Sequence, residues 1–268
     1  MTILYAGGQA CDVDVVVFDK DGLLFDSRHF WKMLAYARLQ VLTEVIGSEG
    51  AAEWCRLFGV RTAHEELDGA DPDGIFALAS PEEEIVVTAS VIRSFTGLDW
   101  GECRSRAQAV FKQSDAGFDL AGALRPKSGF PFIFDRLERA GLAYGIATSD
   151  DLSRTLVSLE QFGQSGRTRF IVTPKDVKRG KPNPDMLERV AELTGTMPAR
   201  IAMVGDSFVD VQMARAAGCI GIGIPDDPAM KLKMLPFADI ILDSLEEIRV
   251  PGDEDAAPSV YIAAGEGG

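Results

Sequence analysis

Apolar residues follow two rhythms along the chain. Val13 to Phe18 (VDVVVF) is a short, β-branched run with the pattern of a strand buried on both faces, and it ends at the polar turn Asp19-Lys20-Asp21-Gly22. From Ser27 the period lengthens: Phe30, Leu34, Ala37, Val41 and Val45 fall on one face of a predicted helix, which Gly47 is expected to stop. From about Ser48 to Leu124 the pattern predicts helices and no strand. Within it, Ser80-Pro81-Glu82-Glu83 reads as a capping box with proline at the first helical position, and Asp99-Trp100-Gly101-Glu102 repeats the cap-plus-glutamate arrangement. Asp71-Pro72-Asp73-Gly74 reads as a turn.

After Pro126 strands and helices alternate. A helix over Phe130–Ala140, closed by Gly141, leads to a strand over Ala143–Ala147; a helix over Leu152–Phe162 leads to a short strand over Phe170–Val172. Asn183-Pro184 is expected to cap and open a helix running to Leu193. Strands over Ile201–Val204 and Ile220–Ile224 flank a helix over Val209–Ala217, and Asp239–Leu242 closes the series. Repeated units of this length predict an α/β fold, a doubly wound parallel sheet with helices on both faces, interrupted by an all-helical insert. The boundaries follow: core at 1–25 and 125–250, insert at 26–124, and a tail at 251–268. The tail is rich in Gly, Ala and acids and is expected to be mobile towards its end.

Composition alters this picture in two places. The net charge is −14, from 27 basic and 41 acidic residues, a surface that repels a phosphate backbone, so nucleic acid is not the expected partner. A small phosphorylated metabolite remains compatible, because one local cation cluster overrides the global field at short range. Four cysteines (Cys11, Cys55, Cys103, Cys219) form no CxxC pair, and only His29 and His64 supply imidazoles, which disfavours a structural zinc site and a Ser-His-Asp triad. No long apolar run and no signal-peptide pattern is visible, so a cytoplasmic protein without a membrane span is expected.

The candidate chemistry collects where predicted strands end: Asp19/Asp21, Thr148/Ser149, the Lys181 loop, and Asp206/Asp210. In an open parallel sheet the carboxyl edge is where ligands bind, so these sequence-distant groups are placed to converge. Taken singly, each acid reads as a helix cap or a solvated carboxylate, Lys181 as a surface lysine and Thr148 as a cap. Together, up to four carboxylates in one crevice raise one another's pKa unless a hard cation compensates, and Mg2+ bound by carboxylates plus phosphate and water oxygens meets that need. Gly180-Lys181 is no P-loop, since proline follows the lysine and the upstream glycine spacing is absent.

Phe18-Asp19-Lys20-Asp21-Gly22, Ala147-Thr148-Ser149, Gly180-Lys181-Pro182-Asn183-Pro184-Asp185 and Gly205-Asp206-Ser207-Phe208-Val209-Asp210 occur in that order, and this ordered set resembles the haloacid dehalogenase-like (HAD) phosphatases from about Val13 to Ser244. The resemblance implies a Rossmann-like core whose helical insert is a cap, and within the superfamily the chain is similar to phosphoglycolate phosphatase-like enzymes. It also implies roles. Asp19 would be the nucleophile that forms an aspartyl phosphate, and Asp21 the acid and then the base. Thr148, Ser149 and Lys181 would hold phosphate oxygens, and Asp19, Asp21, Asp206 and Asp210 would serve Mg2+. Family members that cleave carbon–halogen bonds lack the acid two residues after the nucleophile; Asp21 is present, which favours phosphate esters. The same core residues serve phosphosugar mutases such as β-phosphoglucomutases, and a non-catalytic phospho-ligand sensor is the reading from another class. Arg28, His29, Arg61, His64 and Arg93 are the cap-side candidates for substrate contact, with Phe30 and Trp31 expected to pack the cap helices. The oligomeric state is open.

Overall fold

The structure is a computed structural model that describes residues 2–63, 66–71 and 74–253. The chain begins with a hairpin that the apolar pattern did not announce, β1 (Thr2–Ala6) and β2 (Gln9–Val13), paired antiparallel. Gly7 and Gly8, with φ of 55° and 83°, make its turn, a backbone that residues with a Cβ rarely adopt. β3 (Val15–Phe18) follows with all four residues buried. The expected strand from Val13 is thus divided at Asp14, whose carboxylate pairs with Arg200 at 2.6 Å.

From β3 the chain enters the cap through α1 (Ser27–Phe58), whose first turn is capped by Asp26 accepting the His29 N–H at 3.1 Å. Gly47, at φ 71° and ψ 178°, breaks the helix as expected, and the second part runs on to Phe58. The insert is not wholly helical: β4 (Val60–Ala63) and β5 (Glu66–Ala70) pair antiparallel, which corrects the expectation of no strand here. These strands are short and pack against α1, so a tertiary contact supports them more than a period-2 pattern does. Four helices complete the cap: α2 (Ile75–Leu78), α3 (Pro81–Thr96), α4 (Trp100–Ala116) and α5 (Leu120–Ala123). The capping box at Ser80 and the Asp99 cap both form. In the cap's own core, Trp54 stacks on Phe58 (4.2 Å between centroids) and donates its indole N–H to Thr88 at 2.9 Å. His64, Pro72, Asp73 and the tail from residue 254 lie outside the described residues.

The chain returns to the core beside its exit. Phe25 pairs with Pro126, and the Asp26 N–H donates to the Arg125 carbonyl at 2.8 Å. The cap therefore hangs from two adjacent backbone segments. Next come α6 (Phe132–Arg139), β6 (Ala143–Ala147), α7 (Leu152–Gln161), β7 (Ile171–Val172) and α8 (Asp185–Thr194). Asn183 does not cap α8 as expected. Pro184 occupies that position, while the Asn183 amide donates to the Gly180 carbonyl at 3.0 Å and tightens the Lys181 loop. The last elements are β8 (Ile201–Gly205), α9 (Phe208–Ala217), β9 (Ile220–Gly223), α10 (Pro228–Met234), β10 (Ile240–Ile241) and β11 (Ile248–Arg249). α10 had not been anticipated, its seven residues being too few to set up a clear period.

Six strands form one parallel sheet in the order β10-β9-β8-β3-β6-β7, and β11-β1-β2 form a small antiparallel sheet. The chain builds outward from β3 to β6 and β7, then returns to lay β8, β9 and β10 on the other side. The order reverses between β3 and β8, and helices on both faces leave their carboxyl ends open as a crevice. Beneath it, Phe25, Phe130, Phe134 and Phe18 form a chain of rings at 5.1–5.6 Å, a packed base with little freedom to shift. All four cysteines are free thiols; burial pushes the Cys219 thiol up to about 12, so it is inert at neutral pH. No helix of the described residues is long and apolar enough to cross a membrane.

Candidate active site

Asp19 is the first residue past β3, and its N–H donates to the Val204 carbonyl of β8 at 2.9 Å, which extends the sheet pairing by one residue. Its carboxylate is thereby aimed into the crevice on a nearly rigid base. Asp206 follows β8, and Asp210 sits in the first turn of α9, where its Oδ2 accepts the Ser207 N–H at 3.1 Å. Two glycines let these acids approach. A Cβ on Gly22, which has φ +92°, would lie 2.0 Å from Asp206 Oδ2, and one on Gly205 would lie 2.3 Å from the Asp210 Cβ.

Oxygens of Asp19, Asp206 and Asp210 all lie within 4.8 Å of one another. The Lys181 ammonium, buried, stands 2.7 Å from Asp19 and 2.6 Å from Asp210. Burial alone would lower the Lys181 pKa, but the two carboxylates outweigh it and hold the ammonium above its ordinary value. Burial raises the Asp19 pKa, with Lys181 opposing and Asp210 adding to it. Asp206 is displaced most. Burial raises its pKa, the neighbouring Asp19 and Asp210 raise it further, and its buried Oδ1 has no hydrogen-bond partner. Three acids against one ammonium, with one acid oxygen orphaned, is a donor set suited to a hard divalent cation, and Asp19, Asp206 and Asp210 are the side chains that can hold it.

Asp21 points elsewhere. Its Oδ1 lies 2.6 Å from the ammonium of fully buried Lys20, which also meets Asp150 at 2.9 Å. Burial raises the Asp21 pKa, Lys20 opposes this and Asp150 adds to it. Thr148, at the end of β6, is buried, and its hydroxyl oxygen accepts the Asp150 N–H at 3.1 Å, leaving its proton free to donate. The helix cap that could have claimed Thr148 is Asp151, which accepts the Arg154 N–H at 2.9 Å. Thr148 and Ser149 line the same cavity as Asp19, Asp21, Lys181, Asp206 and Asp210, a space of about 160 Å³ between sheet edge and cap. All seven sequence-derived candidates are therefore brought together.

Of the cap-side candidates, Arg28, His29, Arg61 and Arg93 are not. Arg28 pairs with Asp68, His29 meets the Gly122 carbonyl at 3.1 Å, Arg61 faces Asp71 at 3.3 Å and Arg93 donates to the Leu98 carbonyl at 2.5 Å, all away from the cavity. The cavity is instead bordered from the cap by Phe30, Trp31, Arg38, Glu84 and Asp115, and from the core by Asp150 and Arg154. Phe30 and Trp31 thus pack the cap and wall the cavity at once. Arg38 and Glu84 carried no motif; a charged residue inside an otherwise apolar helix face was the only signal for Arg38, and Glu84 was hidden by the capping box around it. Lys20 stood inside the first motif without drawing a role.

The family model for haloacid dehalogenase-like hydrolases matches residues 13–218. The chain belongs to the haloacid dehalogenase-like hydrolases. Among curated relatives, this hydrolase is 32% identical over 94 residues to N-acetylmuramic acid 6-phosphate phosphatase of Pseudomonas aeruginosa, covering 35% of this chain and 42% of that protein. It is 35% identical over 98 residues to phosphoglycolate phosphatase of Escherichia coli, covering 35% of this chain and 39% of that one. The chain thus spans about two fifths of the length of these relatives. Among solved structures, a predicted phosphoglycolate phosphatase of Haemophilus somnus superposes over 87% of this chain and 95% of its own, with a TM-score of 0.65 at 17% identity, a likeness of fold.

Proposed function

We propose that this hydrolase is a magnesium-dependent phosphatase of a small phosphorylated metabolite, with its core at 1–25 and 125–250 doing the chemistry and the cap at 26–124 covering it. The observation that carries the reading is the Asp19 carboxylate at the sheet edge, 2.7 Å from Lys181 and within 4.8 Å of Asp206 and Asp210. Mg2+ would be held by Asp19, Asp206 and Asp210, with the Asp21 backbone carbonyl as a further ligand in the reading carried over from the family, and would supply positive charge to the phosphoryl oxygens while relieving the repulsion among those acids. An Asp19 oxygen attacks phosphorus in line, the bond from phosphorus to the ester oxygen breaks, and Asp21 gives its proton to the departing alkoxide. A raised pKa suits Asp21 to that donation. Asp21 then takes a proton from water as the water oxygen attacks the aspartyl phosphate, and the bond between phosphorus and Asp19 breaks to release phosphate. Thr148 and Ser149 donate hydroxyl hydrogen bonds to phosphoryl oxygens. Lys181 contributes a point charge whose position Asp210 maintains. The cap excludes bulk water from the aspartyl phosphate until the leaving group has gone.

Phosphate release from a panel of phosphorylated metabolites, with magnesium or EDTA, tests the reading. Release is expected to require magnesium and to fall by about 10⁴-fold or more in Asp19→Asn. Isomerisation of a sugar phosphate with little net release would make the protein a mutase instead. No reaction with any ester, from folded protein that binds magnesium, would leave a phospho-ligand sensor.

A further inference from the structure

On the cap side the cavity is bordered by Glu84. This residue lies in the first turn of α3, is only 9% exposed, and borders the cavity, yet its carboxyl makes no hydrogen bond or ion pair among the described residues. A buried polar side chain with no protein partner is costly, and it is tolerated where a ligand completes it. Two arginines stand near it, and both are engaged. Arg38 meets Asp115 at 2.9 Å, the Phe111 carbonyl at 3.0 Å and the Ser114 hydroxyl, while Arg154 lies 3.3 Å from Asp150 and 3.5 Å from Asp115. Lys181, the remaining cation on the cavity wall, serves Asp19 and Asp210. Among the described residues every cation on the cavity wall has an acidic partner, although the buried Arg38 Nε makes no hydrogen bond. Burial pushes Glu84 up to about 8, against the opposing pull of Arg38 and Arg154, which favours the protonated form that both donates and accepts. The indole of Trp31 and the side chain of Leu34 add an apolar wall.

We propose that Glu84 is a specificity-determining residue of this cleft, receiving a hydroxyl of the leaving group, so that the substrate is the phosphate of a polyol (a sugar or sugar alcohol). This rests on the phosphatase reading above. A carboxyl accepts from a hydroxyl in either protonation state and donates to it as well when protonated, while a carboxylate placed in the same cavity would add to the negative charge of Asp115 and Asp150.

The test compares kcat/KM for sorbitol 6-phosphate, glucose 6-phosphate, 2-phosphoglycolate and acetyl phosphate, the last having no hydroxyl on its leaving group. The unsubstituted enzyme is expected to prefer at least one polyol phosphate to 2-phosphoglycolate. In Glu84→Leu the ratio of polyol phosphate to acetyl phosphate is expected to fall about tenfold or more, mainly through KM, while Glu84→Gln, which keeps a donor and an acceptor, holds the ratio within about threefold. Calorimetric titration of sorbitol 6-phosphate into Asp19→Asn, with and without Glu84→Leu, reads the same contrast as affinity. Equal losses on both substrates would make Glu84 a merely structural residue and overturn the inference, as would a preference for 2-phosphoglycolate over both polyol phosphates. If the unsubstituted enzyme released no phosphate even from acetyl phosphate, the phosphatase reading would fail first and the inference with it.

Discussion

Two buried charged clusters face each other across the cavity, and their balance differs. The lower one, at the sheet edge, sets Asp19, Asp206 and Asp210 against Lys181 alone and leaves an Asp206 oxygen without a partner. In the upper one Lys20, Arg38 and Arg154 are matched in charge by Asp21, Asp150 and Asp115, although the Arg38 Nε makes no hydrogen bond; burial raises the pKa of Glu84 beside them, and Asp151 caps α7 at the rim. A cluster balanced within the chain holds itself together and can act by shape and hydrogen bonding. A cluster left three to one is completed only by something from outside. Under the proposed function the comparison separates a cation-dependent reaction centre from a recognition surface, although both are made of the same residue types.

The sharpest way to break this contrast is to remove one cation from each side. Lys181→Met leaves Asp19 and Asp210 with no counter-charge, and an expected loss of about 3–5 kcal/mol in EDTA should be partly recovered by magnesium. Arg38→Met should cost about 2 kcal/mol, less because Asp115 is half-exposed, and magnesium should restore none of it. Urea denaturation with and without magnesium reads both, and equal magnesium responses would erase the distinction. Asp206→Asn goes the other way. Relief of a buried acid with an unpaired oxygen should stabilise the metal-free protein by about 1–2 kcal/mol and abolish the gain in melting temperature that magnesium is expected to confer on the unsubstituted chain.

The last test concerns Glu84 and the pH dependence of stability. Burial raises its pKa from the ordinary 4.5 to about 8, so between those values the folded chain holds a proton that the unfolded chain has lost. Stability from this group is complete below the lower value and declines as pH rises through the upper one, by at most about 1.4 kcal/mol per pH unit. Glu84→Gln should flatten that share of the profile, measured as the difference between the two proteins in urea denaturation at about pH 5 and pH 8. Parallel profiles would mean that Glu84 is ionised in the folded protein and that the upper cluster is not balanced.

Legibility followed the range of the interactions. The α/β rhythm after Pro126 was readable because β-branched strand runs and amphipathic helices carry their periods locally, and helix caps at Ser80 and Asp99 are set by side chains three residues from the groups they bond. The β1–β2 hairpin and the β4–β5 pair were not, since both are short strands stabilised by neighbours distant in sequence. In the site, Asp19, Asp21, Thr148, Ser149, Lys181, Asp206 and Asp210 stood out because each follows or adjoins a predicted strand end. Asn183 was assigned to the α8 cap because its sequence position allows it; the closed Lys181 loop gives its amide a different partner.

What the residues alone determined, then, is the order of elements and the reactive edge: a parallel sheet must place the ends of β3, β6 and β8 on one side, and the acids, hydroxyls and lysine written there must meet. Tertiary structure decided which charges are compensated. Arg38 and Glu84 come from two cap helices, Asp150 and Arg154 from the core, and only their burial in one cavity raises the Glu84 pKa and leaves an Asp206 oxygen without a partner. Desolvation and pairing depend on distance in space, and no local pattern in the chain encodes that distance.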